Sequence, residues 1–306
     1  MFSSIWQDIK NAYERGNTIT RLIFVNAVVF VSINLIRVFA WFGNNLNPSE
    51  GYTKFSETLQ LSSSTTYILW HPWSLVTHMF FHVDFFHILF NMLWLSWFGR
   101  ITGDLLGDRR MLPTYIFSGL LGALFFVVYA NYTGHHGFAY GASASVMGIA
   151  LAAAFIAPDY RLNLLLIGEV SLKYVVLAML FLDIIALPGQ MNVGGHIAHL
   201  GGAAFGGIFV TLLQRGYDLS AGFNRAQDWI MNLLSNRNKK KSNDRPKPRV
   251  VFKNTEENIR RNRDKSNSPN SVSQTMVDAI LDKIKREGYS NLSAEEKETL
   301  MKASKK

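Results

Sequence analysis

The sequence predicts an all-α polytopic membrane protein of six transmembrane helices with a basic cytoplasmic tail that ends in a small helical segment. Three observations carry that prediction. Of the 306 residues, 48% are hydrophobic and only 17% are charged, well below the roughly 25% charge of an ordinary soluble domain. Residues 215–306 hold 21 Lys/Arg and 12 Asp/Glu, so the whole net charge of +9 lies there and the first 214 residues sum to zero. Apolar residues concentrate in six stretches, 22–42, 78–98, 112–130, 143–157, 174–187 and 197–213, most of them near the roughly 20 residues that cross a bilayer of about 30 Å. The chain contains no cysteine, which excludes a disulfide scaffold, an iron–sulfur cluster, a cysteine zinc site and a thiol nucleophile.

The first stretch is too long for a signal-peptide core and has no Ala-x-Ala cleavage pattern, so it is expected to stay attached, after a cytoplasmic segment 1–21. Basic residues set the orientation. Lys10, Arg15 and Arg21 precede the first stretch, Arg100, Arg109 and Arg110 follow the second, Arg161 and Lys173 flank the loop after the fourth, and Arg215 opens the tail. Both termini are therefore expected in the cytoplasm.

The second stretch contributes a polar column, His78, His82, His87 and Asn91, and polar side chains in hydrocarbon are costly and mostly functional. Counting up from Gly99 puts His87 about 18 Å and Asn91 about 12 Å above the cytoplasmic face. There they can donate to an oxyanion. The fourth stretch spans only about 22 Å, so its upper end at Ser143 falls inside the membrane. The polar, glycine-rich residues 131–142 above it are expected to line a wet cleft, since irregular backbone at that depth needs a cavity or water.

Counting up from Arg215, His199 on the sixth stretch lies about 24 Å above the same face, nearly level with Ser143. Ala144, Gly148 and Ala152 on one helix, and Ala198, Gly202 and Gly206 on the other, form small-xxx-small faces that let backbones approach closely. A serine hydroxyl near an imidazole is the simplest activated nucleophile. Ser145, on another helix face, is expected to pack or bond its own backbone. Asp183 on the fifth stretch is a buried carboxylate, expected to hold a structural hydrogen bond and available as a partner for a histidine. His135 and His136 are expected at the cavity rim. His78 with His82, and His196 with His199, have spacings that suit a metal ion, but no carboxylate and no HExxH motif accompanies them, so no metal and no cofactor is expected.

Three motifs, His78-xxx-His82-xxxx-His87-xxx-Asn91, Gly141-Ala142-Ser143 and Ala198-His199-Leu200-Gly201-Gly202, come in the right order on the right stretches and resemble the rhomboid intramembrane serine proteases of bacterial type. The resemblance covers residues 20–213. It implies a six-helix rhomboid-like bundle over residues 22–214, with Ser143 as nucleophile and His199 as general base in a dyad without an acidic third member. It aligns His87, Asn91 and the Ser143 backbone amide with the oxyanion hole. Met147 falls where the family has an aromatic residue packed on the histidine, and Trp73 falls at a Trp-Arg pair whose second member here is Ser74. Gly141, Ala144, Met147, His78, His82 and His196 are supporting or cavity residues. Ala144 stands where the family has glycine, and its methyl group would narrow the oxyanion site or restrict the turn.

The resemblance thus implies a serine endopeptidase that cleaves transmembrane segments of membrane proteins in a bacterial plasma membrane. The alternatives are a catalytically inactive rhomboid-like protein that binds transmembrane clients, and a histidine-based metal transporter or metalloprotease.

Residues 215–274 read as a juxtamembrane helix, with Trp229, Ile230, Leu233 and Leu234 near one face, and a disordered basic linker. Its run Lys239-Lys240-Lys241 is expected to touch membrane lipid, and no nucleic-acid partner is expected. Residues 275–306 read as a helical hairpin closed by Gly288 and restarted by the capping box Ser293-xx-Glu296, a module for a cytoplasmic partner or self-association or simply a solvated helix pair.

Overall fold

The computed structural model describes residues 16–164, 168–189, 192–236 and 274–304, with Gln7, Lys10, Asn11, Tyr13 and Glu14. Arg15, the basic linker and the Lys239-Lys240-Lys241 run lie outside the described residues. The chain divides into two compact units, Met1–Asn238 and Lys239–Lys306.

The first unit opens with α1 (Thr18–Gly43), capped by Asn17, whose side chain accepts from the Thr20 amide at 2.9 Å. Its start is tied down by Asp108, which accepts from the Thr18 amide at 2.7 Å and hydroxyl at 2.8 Å. A long connection follows, built from α2 (Glu50–Leu59), β1 (Leu61–Ser62), α3 (Thr65–Trp70), α4 (Ser74–Thr77) and a 3-10 turn at His78–Phe80. Trp73 pins this segment on itself, donating its indole N–H to the Thr58 carbonyl at 2.8 Å. Next come α5 (Phe85–Leu106), α6 (Met111–Thr133), β2 (Phe138–Ala139) and α7 (Ser143–Ile156). The hairpin β3 (Arg161–Leu164) and β4 (Gly168–Ser171) leads to α8 (Leu172–Ala186), α9 (Val193–Gln214) and α10 (Ser220–Asn236).

Among the described residues, four helices are long and apolar enough to cross a membrane: Thr18–Gly43, Asp108–Thr133, Leu172–Gly189 and Val193–Gln214. Ser74–Phe80 and Phe85–Leu106 qualify as a fifth span only as a pair, and the pair is bent by 93°. Helix α7, at 14 residues, is about 21 Å long at 1.5 Å per residue, so the count of six full spans is not reached. The bend also overturns the expected polar column. The chain is extended at Phe81 and Asp84, so His78 precedes the break and His82 lies within it, while His87 and Asn91 follow it on α5. A run of apolar residues hides this break, because hydropathy does not register backbone direction.

Helix α7 is the centre of the bundle, with ten of its residues buried. It packs against α9 backbone to backbone. A Cβ on Gly202 would overlap the Ala144 carbonyl oxygen, one on Gly206 would overlap the Gly148 carbonyl oxygen, and one on Gly148 would overlap the Ser118 side chain. The small-residue faces expected from the sequence thus meet. Thr102 joins α5 to the same helix, its hydroxyl 3.2 Å from the Ile149 carbonyl.

Helix α10 is held at the far end by ion pairs. Arg109 reaches Asp228 at 2.6 Å and Arg110 reaches Asp218 at 2.8 Å. Burial pushes the Asp218 carboxyl up, but hydrogen bonds from Ser220 and Arg110 outweigh it and hold the group below its ordinary value. Trp229, Ile230 and Leu233 are exposed, as an interfacial face requires; the Leu234 side chain lies outside the described residues.

The second unit contains α11 (Gln274–Glu287) and α12 (Ala294–Ser304). Gly288 ends the first at φ +83°, and the expected capping box forms, with Ser293 N–H to Glu296 at 2.8 Å and Glu296 N–H to Ser293 at 3.3 Å.

Gly206→Ala is expected to force α7 and α9 apart at the Gly148 carbonyl, at a cost of about 1–3 kcal/mol typical of overpacking. Thermal unfolding of the detergent-solubilised chain measures it.

Candidate active site

The turn at residues 141–143 is fixed from behind by His78, before the break, and His82, within it. The His78 carbonyl accepts from the Gly141 amide at 2.8 Å, and His82 Nε2 accepts from the Ala142 amide at 3.2 Å. His78 itself is anchored through Nδ1, 2.8 Å from the Ser74 carbonyl. Gly141 has φ +113°, a conformation that favours glycine, and a Cβ there would lie 2.7 Å from the His87 ring. The turn therefore requires glycine on two counts. The chain then enters α7 at Ser143, with the Val146 amide closing the first turn on the Ala142 carbonyl at 2.9 Å.

Strand β2 carries the chain into that turn and pairs with β1, Leu61 opposite Ala139 and Ser62 opposite Phe138. Asn131, still inside α6, donates to the Ser63 carbonyl at 2.8 Å. The non-helical segment is thus shorter than expected, because α6 continues to Thr133 before Gly134 turns it at φ +74°.

Above Ser143 lies a cavity of about 750 Å³. Ser143, His199, His87, Asn91 and Met147 all border it. Ser143 and His199 are partly buried, and among the described residues no hydrogen bond joins them directly; such pairs often tighten only when substrate is bound. The His87 ring packs edge-on against His82, centroids 5.1 Å apart. Asn91 donates one N–H to the His87 carbonyl at 2.9 Å, which leaves the second N–H of its amide for another acceptor. Met147 is buried at the cavity wall.

Gly141, Ala144, His78, His82 and His196 are not part of the lining. Ala144 is buried, and its methyl group points to α6, where a Cβ on Gly122 would come within 2.6 Å of it. The glycine missing at position 144 is therefore matched by a glycine at 122, and the added methyl occupies the α6 interface. Ser145 is buried with no partner for its hydroxyl among the described residues; it packs and does not back-bond. His135 borders a separate cavity of about 340 Å³ that shares Phe138 and Asn192 with the larger one. His136 stands beside Ser63 at 3.4 Å.

Two expectations about acidic groups need correction. A carboxylate does accompany His196 and His199: Asp183 on α8 places Oδ1 2.7 Å from His196 Nδ1 and 2.9 Å from His199 Nδ1. The three offer ligand atoms within 4.8 Å of one another, the one cluster among the described residues with the composition to hold a metal ion. His199 also does have an acidic neighbour. The sequence displays Asp183 as a buried acid, but the helix packing decides which histidine it meets.

Residues 69–216 match the family described as the Rhomboid domain, and residues 263–306 match a family of unknown function, DUF6576. The chain is similar to the presenilin-associated rhomboid-like protein A, mitochondrial, of Danio rerio, 31% identical over 147 residues covering 47% of this chain and 38% of that protein. It is similar to the RHOMBOID-like protein 12, mitochondrial, of Arabidopsis thaliana, 29% identical with 47% of each chain covered. With the human presenilin-associated rhomboid-like protein, mitochondrial, it shares 28% identity over 49% of this chain and 40% of that one. The chain thus spans less than half the length of these relatives. All three are mitochondrial by name, so they lend no support to the expected bacterial plasma membrane.

His82→Leu removes the acceptor for the buried Ala142 amide, which costs about 1–3 kcal/mol for an orphaned donor. Faster hydrogen–deuterium exchange across residues 138–146, with a lower melting temperature, is the expected result.

Proposed function

This chain belongs to the rhomboid family, and on that premise we propose that it is an intramembrane serine endopeptidase, hydrolysing a peptide bond in or near a transmembrane segment of another membrane protein. The observation that carries the reading is that Ser143, His199, His87 and Asn91 border one cavity within a bundle of apolar helices. A serine at the first position of a helix is also next to backbone N–H groups that have no intrahelical partner and to the positive end of the helix dipole.

In the proposed mechanism His199 takes the Ser143 hydroxyl proton as Oγ attacks the carbonyl carbon. The resulting oxyanion is held by the Ser143 amide, by His87 and by the second N–H of Asn91. Such a donor is commonly worth about 3–4 kcal/mol. The protonated His199 then gives its proton to the leaving amine, and water hydrolyses the acyl-enzyme with the same histidine as base. Asp159, paired with Lys173 at 2.6 Å, and Asp218 lie outside the cavity lining and take no part.

The proposed topology places residues 1–21 and the basic tail from 215 on one, cytoplasmic side of the membrane. The substrate-bearing partner is a transmembrane protein, and the tail is left to lipid contact and docking.

Ser143→Ala is expected to abolish cleavage of a reporter carrying a helix-destabilised transmembrane segment, at unchanged protein level, and a fluorophosphonate probe is expected to label Ser143 alone. Full cleavage by Ser143→Ala would sink the proposal. Ala144→Gly is expected to keep activity within about threefold, because its methyl packs against Gly122, away from the cavity; its cost falls on stability instead, about 0.5–1 kcal/mol for a glycine inside a helix.

A further inference from the structure

The Asp183 cluster contains more than a satisfied acid. One carboxylate oxygen, Oδ1, faces Nδ1 of two histidines that are three residues apart on α9, at 2.7 Å and 2.9 Å. Both are hydrogen-bond separations, and an ionised carboxylate only accepts. Each imidazole must therefore carry its proton on Nδ1. For His199 in the neutral state this leaves Nε2 as the lone-pair nitrogen, on the ring edge away from the carboxylate. In the other tautomer a lone pair on Nδ1 would face a negative oxygen at 2.9 Å.

His196 has a separate part. A carboxylate with one donor turns readily about its last torsion, which is broad and two-fold. With two N–H groups from one helix converging on the same oxygen, both the rotamer and the placement of α8 against the start of α9 are defined. His196 is outside the cavity lining, whereas Asp183 and His199 border it. Its hydrogen bond thus acts on the carboxylate from behind.

We infer that Asp183 is a positioning residue for the reaction: it fixes His199 as the Nδ1–H tautomer with Nε2 free for the Ser143 hydroxyl, and His196 holds the carboxylate in place. The inference rests on the Ser143/His199 reading given above. The Ser143 Oγ–H proton passes to Nε2 as the Oγ–carbon bond forms, and the same proton leaves on the amine as the carbon–nitrogen bond breaks. Asp183 stays ionised throughout and faces the imidazolium while it exists, as in other serine hydrolases whose histidine is oriented by a buried acid.

The test uses the full chain in detergent, with nitrogen-15 histidine and assignment by His199→Gln and His196→Gln. At pH 8 the wild-type spectrum is expected to show both rings as Nδ1–H tautomers. Asp183→Asn is expected to lower kcat about 100-fold or more with KM within about twofold, to slow fluorophosphonate labelling of Ser143 in step, and to release the His199 tautomer. His196→Gln is expected to cost about tenfold or less.

A wild-type Nε2–H tautomer at His199 would overturn the inference, as would rings without Nδ1–H, the sign of a metal ion seated on the cluster. So would Asp183→Asn with wild-type kcat. If Asp183→Asn does not fold, the wild-type tautomer decides alone. If the wild type cleaves no reporter, the proteolytic reading fails, and the spectrum still decides the Asp183 assignment.

Discussion

The close approach of α7 to α9 is the constraint from which the site follows. Two glycines on α9, Gly202 and Gly206, let the carbonyl oxygens of Ala144 and Gly148 come into contact with the facing backbone. These contacts recur every four residues on both helices, so they fix the relative register as well as the distance. Ser143 is one residue before the first contact on α7, and His199 is three residues before its partner on α9. Their nearly level placement at one cavity, offset by two residues or about 3 Å, is a consequence of that register. No attraction between serine and histidine is needed to bring them to one cavity, and among the described residues no bond between them exists. In a bilayer, where lipid is as apolar as the helix faces, van der Waals packing of this kind is the main force available to hold such a register.

The same packing explains why polar groups inside the bundle lean on backbone. Asn26 donates to the Leu22 carbonyl at 2.8 Å, Thr102 to the Phe98 carbonyl at 2.8 Å, and Tyr115 to the Met79 carbonyl at 2.9 Å. An unpaired polar group at that depth costs several kcal/mol; Asn26 and Thr102 find a carbonyl one turn back, and Tyr115 finds one on a neighbouring segment. Ser118 and Ser145 are among the buried hydroxyls with no partner among the described residues. Both stand where a facing glycine, Gly148 or Gly119, lacks a side chain, so their small size is what the packing uses.

Much of this was legible in the sequence because it depends on local pattern. The apolar stretches, the start of α7 at Ser143, the small-residue faces and the Ser293-xx-Glu296 cap are all spacings along one element. What was hidden depends on neighbours brought together by folding. The break at residues 81–84 lies in an apolar run without glycine or proline, and its one cue is Asp84, a residue type common at helix starts. The two-residue strands β1 and β2 are too short for an alternating pattern. Ala144 reads as a loss of glycine until Gly122 is seen opposite, and Asp183 is 16 residues from His199 on another helix.

The break also changes how the polar residues of the second stretch divide their work. On a continuous helix His78, His82, His87 and Asn91 would form one column, all equally eligible as donors to a reacting oxygen. The 93° bend separates them. His78 and His82 turn toward the backbone at Gly141 and Ala142 and hold the turn, while His87 and Asn91 alone reach the cavity. His82 cannot serve both purposes, because its Nε2 is already the acceptor for the Ala142 amide and a ring nitrogen that accepts there has no proton to give. The donors open to a reacting carbonyl are then reduced to His87, Asn91 and the N–H groups at the start of α7. Two histidines that never border the cavity decide where those N–H groups point.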